Sequence, residues 1–373
     1  MEFSIAEEVR SVQELAAQIF ADQCGDAQLK RFDRGEIAYH DELWRLLSEA
    51  GLVSVALPEE YSGSGLGFSG LCAVFEEQGR HVAALPLLAS SVLAALPLAE
   101  FGSPALRDCW LPRVASGEVV LSGSSLTMKG ELPGCRADGN DWILDGRLDF
   151  VPYGLDAAAV LVPALAGNGS CNLFLVARDT AGVEFERQRG TNHEPLDTLK
   201  LRAVRVGAES MLGEAGAGEG ICEWIAQRAA TALGFIQLGV LADALRRTAA
   251  YTVERKQFGK PLAGFQAVAH RAADAYIDIE ALRSTLWQAA WRIEQGLPAG
   301  SAVAVASWWV CEAGHRVGHA CQHLHGGTGA DLDYPIHRYY LWSRQNELSL
   351  GGSSRILAGF GAELSNQQIE IGL

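Results

Sequence analysis

The helical periodicity of this chain stops near Glu118 and resumes only after Gly220, and this interruption limits the folds open to it. The intervening segment contains alternating and β-branched runs, for example at 159–162 and 172–176, separated by Asp-Gly, Gly-Asn and Ala-Gly turn signals. Strands that follow one another so closely predict a compact barrel or sandwich. The sequence therefore predicts a helical part, then a β part, then a second helical part.

A chain of 373 residues is longer than one hydrophobic core usually supports, so we expect two or three domains. We place their limits at 1–117, 118–220 and 221–373. In the last of these, apolar residues step by three or four along two long segments, and two shorter helical patterns follow. The predicted fold class is α+β, with an N-terminal α-helical domain, a middle β-barrel domain and a C-terminal four-helix bundle.

The charge and cysteine patterns exclude several classes of protein. A net charge of −15 argues against a nucleic-acid partner. The eight cysteines are scattered, with neither a C-x-x-C pair nor a His/Cys cluster at metal-ligand spacing, so we expect no metal. The N-terminus lacks the regions of a signal peptide, and no window has the apolar length of a membrane span, so we expect a cytoplasmic protein without membrane insertion.

The stretch Arg255-Lys256-Gln257-Phe258-Gly259 lies at a corner between the two long helical patterns. It places a guanidinium, an amide and a flexible glycine together, with Pro261 and Gln266 shortly after. An arginine can pair bidentately with phosphate oxygens, so the corner suits a bound anion. The alternative is that Arg255 only caps the carboxyl end of its helix.

Two segments, YTVERKQFGKPLAGFQ at 251–266 and HGGTGADLDYP at 325–335, resemble the characteristic C-terminal signatures of the acyl-CoA dehydrogenase family. Segments 58–67 and 211–214 match weaker signatures of the same family, and the resemblance covers essentially the whole chain. It implies the α, β, α fold, an FAD cofactor, an acyl-CoA substrate and an electron-transfer flavoprotein or similar acceptor. Members are homotetramers or dimers of dimers, in which a neighbouring subunit binds the adenosine diphosphate end of the flavin.

The resemblance implies a set of flavin contacts. Arg255 would pair with the pyrophosphate, and the backbone amides of the HGGTG turn would approach the cofactor. His323 occupies the place of the family's usual glutamine, and Thr127 is all that remains of a Thr-Glu-Pro run. The predicted cofactor-binding residues are Arg255, Gln257, Phe258, Gln266, His323, Gly326, Gly327 and Thr127.

The catalytic base of the family is a carboxylate, and this chain lacks one at both customary positions. The residues that match those positions are Gly351 and Ala229. Glu347, about one helical turn before Gly351, is the nearest acidic substitute, and its alternative role is a solvated helix residue. Glu223 is a more remote substitute on the same helical segment as Ala229.

The residues expected around the flavin ring are also altered. Where the family has a Trp-Ile-Thr run, this chain has Phe150-Val151-Pro152, which lacks the hydroxyl and, at the proline, the backbone N–H. The pattern resembles subunits of the two-component dehydrogenases that act on steroid side chains or dicarboxylates as α2β2 assemblies. Two main interpretations remain open, with an acyl-CoA oxidase, recognisable by rapid reoxidation of its reduced flavin in air, as a weaker third. The chain is either a catalytic subunit, converting a bulky acyl-CoA to the trans-2-enoyl-CoA, or a non-catalytic subunit that completes the FAD site of a catalytic paralogue.

Overall fold

The computed structural model describes residues 5–123 and 132–366, and it confirms the predicted order of a helical, a β and a second helical part. The first part is built from helices with apolar residues at helical spacing. Its helices are α1 (Glu7–Gln23), α2 (Asp26–Asp33), α3 (Asp41–Glu49), α4 (Gly67–Arg80), a π-helical stretch (Leu88–Ala95) continuous with α5 (Leu96–Phe101), and α6 (Pro104–Ala115).

The middle part is one curled sheet in the form of a half-barrel. Its strands are β1 (Leu121–Gly123), β2 (Gly134–Asp138), β3 (Asp141–Pro152), β4 (Ala159–Ala166), β5 (Cys171–Ala177), β6 (Val183–Glu186) and β7 (Leu196–Gly207). The strand order is β1-β4-β2-β3-β7-β6, with β5 on the other side of β4. Among the described residues β5 and β6 do not pair with each other, so the sheet stays open where the sequence suggested a barrel.

The β5 edge is covered by the chain that leads into the second helical part. The N–H of Leu212 donates to the carbonyl of Leu173 at 2.8 Å. The side chain of Asn172 accepts from the N–H of Gly216, also at 2.8 Å. Because an exposed strand edge can be satisfied by such a covering segment, the sheet does not need to close on itself.

The C-terminal part contains the predicted bundle and one more short helix. Its elements are α7 (Gly218–Glu254), the hairpin strands β8 (Lys256–Gln257) and β9 (Lys260–Pro261), α8 (Gln266–Glu294), α9 (Gly300–Leu324), α10 (Ile336–Ser349) and α11 (Ser353–Asn366). Helix α7 is long and apolar enough to cross a membrane, but 72% of its most apolar window is buried inside the protein. Burial of that extent is what the central helix of a folded bundle shows.

Helices α4 and α7 cross at two glycines, and this crossing joins the N-terminal helices to the bundle. A β-carbon built on Gly79 would lie 2.0 Å from the carbonyl oxygen of Ile236, and one built on Gly239 would lie 1.9 Å from that of Glu76. Only a residue without a side chain permits backbones to approach so closely. Of the predicted domain limits, 117/118 falls between α6 and β1, whereas 220/221 falls inside the first turn of α7.

Candidate functional site

The corner between α7 and α8 is a tight hairpin that holds Arg255 at the end of α7. The N–H of Arg255 donates to the carbonyl of Tyr251 at 2.8 Å, and its own carbonyl accepts from the N–H of Leu262 at 2.9 Å. At the tip, Phe258 and Gly259 both have left-handed backbones, with φ of 52° and 84°. The hairpin therefore fixes the backbone of Arg255 while it projects the tip outward.

The tip carries an aromatic side chain that the chain itself does not cover. Phe258 is 91% exposed, and its ring meets Phe265 edge-on at a centroid distance of 6.2 Å. The Lys260 ammonium lies 4.2 Å from the centroid of Phe265 and donates to the carbonyl of Gly264 at 3.0 Å. The tip therefore presents one apolar ring to the outside of the chain.

The polar side chains predicted for this corner are exposed and lightly engaged. The Gln257 amide donates to the carbonyl of Lys256 at 2.8 Å. Gln266 begins α8, and its amide lies 3.4 Å from His270. In the part of the chain that the structure describes, the Arg255 guanidinium makes no hydrogen bond or ion pair, so it does not cap the last carbonyls of α7 through its side chain. Its donor fork is available to an external anion.

The HGGTG turn is attached to the end of α7 by an aromatic stack. The ring of His325 is 2% exposed and stacks on Tyr251 at a centroid distance of 4.4 Å and an interplanar angle of 24°. The Tyr251 hydroxyl donates to the carbonyl of His325 at 3.3 Å. Burial lowers the pKa of His325, so its neutral ring donates from Nδ1 to the carbonyl of Cys321 at 2.8 Å. The stack thus brings the two sequence signatures side by side.

In the sequence, His325 is only the first residue of its signature, and its role in connecting the two signatures was not predicted. The spacing of the two signatures along the chain gives no signal for it, because the partner Tyr251 lies on another helix. The imidazole Nε2 of His325 is buried and has no hydrogen-bond partner among the described residues. With the proton on Nδ1, that atom is an acceptor left unsatisfied by the described residues.

The glycines of the turn are open on the side where a side chain would project. Gly326 has φ of 58°, and no heavy atom of the described residues lies within 4 Å of a β-carbon built on Gly326 or Gly327. His323 is exposed, and its ring is hydrogen-bonded to the Arg271 guanidinium of α8. The neighbouring Gln322 is turned inward, where its amide donates to the carbonyl of Gly329. The space on the β-carbon side of both glycines is therefore open, whereas His323 is already engaged.

At the sheet, the residues expected near a flavin ring adopt unusual backbones. Phe150 has φ of 58° and is 52% exposed, at an irregularity in the pairing of β3 with β7. Val151 is fully buried, and the carbonyl of Pro152 accepts from the Ser122 hydroxyl. Pro152 has no N–H to offer a ligand. Thr127 lies outside the described residues, so its predicted contact stays a prediction.

The two customary base positions differ in their surroundings. Gly351 has φ of 84°, and a β-carbon built on it would lie 2.8 Å from Nη1 and 2.9 Å from Cδ of Arg355. A side chain there would be strained by the left-handed backbone and would require the exposed side chain of Arg355 to shift. Ala229 is fully buried in α7. The sequence showed that these carboxylates are missing, and the structure adds that Arg355 occupies the space over Gly351.

Glu347, the acidic substitute named from the sequence, lies in an ion pair. Its carboxylate is 16% exposed, pairs with the Arg344 guanidinium one turn earlier on α10, and lies 3.9 Å from Nδ1 of His315. The thiol of Cys311 approaches its backbone carbonyl at 3.9 Å. A general base must be free to reach the substrate, and this carboxylate is held by the Arg344 guanidinium. These surroundings fit a structural role better than a catalytic one.

The cavity beside the base positions is small. It measures about 280 Å³ between α7, α9 and α11, and Ala230, Leu350, Arg355 and Glu223 are among its lining residues. A larger cavity of about 740 Å³ lies elsewhere, between the start of α1, the start of α4 and the end of α8. None of the sequence-predicted site residues that the structure describes lines that larger cavity. The candidate site is therefore defined by the two signatures and not by the larger cavity.

Two family models match this chain. The model "Acyl-CoA dehydrogenase, N-terminal domain" matches residues 6–118, and "Acyl-CoA dehydrogenase, C-terminal domain" matches residues 216–363. Acyl-CoA dehydrogenase FadE27 of Mycobacterium tuberculosis is 38% identical over 98% of this chain and 99% of its own length.

Two solved structures are similar over nearly the full length. The crystal structure of the ChsE4-ChsE5 complex from Mycobacterium tuberculosis matches with a TM-score of 0.93 at 38% identity, covering 98% of this chain and 100% of the matched chain. A variant of the Tcur3481-Tcur3483 steroid ACAD matches with a TM-score of 0.89 at 42% identity, covering 96% of this chain and 98% of the matched chain. Each of these two structures is a complex of two different polypeptides.

Proposed function

Since the chain belongs to the acyl-CoA dehydrogenase family, whose members are oxidoreductases acting on CH–CH bonds, we propose that it works as one subunit of a two-component enzyme. The reaction is the α,β-dehydrogenation of an acyl-CoA thioester to the trans-2-enoyl-CoA. In this proposal the chain completes an FAD site in an α2β2 assembly with a paralogous subunit, and the paralogue supplies the catalytic carboxylate.

The residues of the α7–α8 corner fit the adenosine diphosphate end of FAD. Arg255 offers an exposed guanidinium without a partner among the described residues, and Gly326 and Gly327 are exposed glycines with open space where a side chain would project. The exposed Phe258 gives an apolar contact beside them. Pyrophosphate oxygens need charge-assisted donors of this kind. When bound, the flavin supplies the hydride acceptor for the reaction.

The observation that carries the proposal is the position of Arg355 over Gly351. A homotetramer of this chain would have an arginine where the family places its base, and an arginine cannot accept the α-proton of a thioester because it stays protonated. A carboxylate from another polypeptide avoids this difficulty. We propose that Arg255 and the HGGTG turn serve a flavin whose ring lies in the paralogous subunit.

The second candidate function is catalysis by this chain alone, with Glu347 as the base. It is favoured by one observation, that Glu347 lies only one helical turn before Gly351 and is the nearest carboxylate on α10. It requires the carboxylate to leave its pair with Arg344 when the substrate binds.

The acyl group is proposed to be bulky, of the steroid side-chain kind. This rests on the similarity to a protein described as a steroid ACAD. The electrons would pass to an electron-transfer flavoprotein or a similar acceptor.

Co-expression tests the proposal. We expect the chain purified alone to bind little FAD and to be inactive, and the co-purified pair with its paralogue to be yellow and active. Native mass spectrometry of the pair should give two copies of each chain. A yellow, active homotetramer obtained from this chain alone would contradict the two-component proposal and favour Glu347 as the base.

A further inference from the structure

Two cysteine thiols contact each other where the sheet meets the bundle. Cys171 begins β5, and Cys222 lies in the second turn of α7. A β-carbon built on Gly218 would lie 2.7 Å from both the carbonyl carbon and the carbonyl oxygen of Cys171, so the start of α7 rests directly on this residue. Cys222 is four residues further along, on the same face of the helix, and its thiol therefore lies against that of Cys171.

The backbones on both sides of this contact are fixed. The Asn172 side chain accepts from the N–H of Gly216 at 2.8 Å, just before α7 begins. The N–H of Leu212 donates to the carbonyl of Leu173 at 2.8 Å. These bonds hold β5 and the chain entering α7 together, so a bond between the two sulfurs needs side-chain rotation rather than movement of the sheet against the bundle.

The two thiols differ in acidity. Contact with Cys222 lowers the pKa of Cys171, although burial and the Glu219 carboxylate act in the opposite direction. The same contact, together with burial, raises the pKa of Cys222. The amino terminus of α7 lies beside Cys171, and the positive end of a helix dipole also favours a thiolate. The contact thus favours the loss of one proton from the pair, so that one of the two sulfurs reacts as a thiolate while the other stays protonated.

We propose that Cys171 and Cys222 form a peroxide-sensitive dithiol that closes reversibly to a disulfide between the sheet and the bundle. The thiolate of the pair attacks one oxygen of hydrogen peroxide, the O–O bond breaks, and a sulfenic acid forms with release of hydroxide. The second sulfur then attacks the sulfur of the sulfenic acid and displaces water after proton transfer. In total, two thiols and one peroxide give one disulfide and two waters, and the two electrons pass from sulfur to peroxide.

The register of the sheet makes this pairing selective. Cys135 of β2 is opposite Ala166 of β4, and Cys171 of β5 is opposite Leu165 on the other side of β4. One whole strand therefore separates Cys135 from Cys171. Neighbouring strands are about 4.8 Å apart, so the two α-carbons are roughly 9 Å or more apart, beyond the reach of a disulfide.

The test is peptide mapping of the full-length chain after treatment with hydrogen peroxide. Remaining thiols are alkylated before digestion, and we expect a joined 171–222 peptide pair, lighter by two hydrogen atoms than its free thiols and separated again by dithiothreitol. Cys171→Ser and Cys222→Ser should each lose this pair, whereas Cys135→Ser should keep it. The exposed Cys109 serves as an internal indicator that peroxide reached the protein.

Three results would overturn the proposal. One is oxidation of Cys109 while Cys171 and Cys222 remain fully alkylated. Another is loss of the joined pair in Cys135→Ser. The third is formation of the pair in urea-unfolded protein as readily as in native protein, since the proposal attributes it to native contact. Circular dichroism of each serine variant checks that the fold is retained, and Cys222→Ala replaces Cys222→Ser if it is not.

Discussion

The guanidinium of Arg355 lies over Gly351, so that a β-carbon built on Gly351 would lie 2.8 Å from Arg355 Nη1. The neighbouring Gly352 has the same φ of 84°, but its β-carbon would meet no described atom within 4 Å. Both alanine substitutions incur the strain of a left-handed backbone, on the order of 1 kcal/mol. We expect Gly351→Ala to lower the free energy of unfolding more than Gly352→Ala does, because only the former meets Arg355.

Urea unfolding of the two variants, alone and combined with Arg355→Ala, measures this difference. Removal of the guanidinium should bring the cost of Gly351→Ala down to that of Gly352→Ala. Equal costs in the presence of Arg355 would mean that the guanidinium moves aside freely, and the space over Gly351 would then be open to a longer side chain.

Much of the fold was predictable because it depends on local periodicity. The change from period 3.6 to alternation near Glu118, and back after Gly220, marks the two ends of the sheet within a few residues. The open form of the sheet was not predictable, because it depends on Leu212 and Gly216 covering the β5 edge, which is a long-range contact.

The candidate site was likewise predictable in part. The signature residues around Arg255 and Gly326 are recognisable from their order in the chain. The position of Arg355 over Gly351 and the stack of His325 on Tyr251 depend on how helices pack, and sequence spacing gives no measure of that. Glu347 and Arg344 are three residues apart on one helix, so their ion pair could have been predicted from the sequence. Only the structure shows that the Glu347 carboxylate is mostly buried in this pair.

Arg255→Ala should weaken FAD binding by the assembly. The lost charge-assisted contacts are worth about 1.5–3 kcal/mol, which corresponds to a roughly 10- to 150-fold higher Kd. Flavin content and fluorescence titration of the co-purified pair measure the change. Lys256→Ala, an exposed cation at the next position, is the matched control and should change FAD affinity much less. Equal affinities of the wild type and Arg255→Ala would remove Arg255 from the site.

Glu347→Gln should leave turnover of the assembled pair largely intact and reduce its stability. The carboxylate is mostly buried with Arg344, and loss of the pair should cost about 1–3 kcal/mol of unfolding free energy. Arg344→Ala should cost a similar amount, and the double variant should cost less than the sum, as expected for two partners of one interaction. Abolished turnover with normal FAD content would instead identify Glu347 as the base.

Because of Glu194, we expect the free energy of unfolding to fall as the pH rises toward neutral. Burial raises its pKa from 4.5 to about 7, although the Tyr153 hydroxyl and the Asn192 amide donate to it. The folded state therefore keeps its proton while the unfolded state loses it, so this contribution is present below pH 4.5 and is lost as pH rises toward 7. Glu194→Gln should flatten the slope of unfolding free energy against pH in this window. An unchanged slope in Glu194→Gln would contradict the prediction.

Gly239→Ala should destabilise the protein strongly, because α4 and α7 touch through their backbones at this point. The added β-carbon would lie 1.9 Å from the carbonyl oxygen of Glu76 and 2.6 Å from the amide nitrogen of Arg80, and neither can yield without moving α4. We expect a loss on the order of 3 kcal/mol or more of unfolding free energy.

Gly220→Ala, near the start of the same helix with no described atom within 4 Å, is the matched control. It should be neutral or stabilising by up to about 1 kcal/mol, since alanine favours helix. Thermal unfolding of both variants distinguishes steric contact from helix propensity: similar melting temperatures for Gly239→Ala and Gly220→Ala would mean that the two helices do not cross at this glycine in solution.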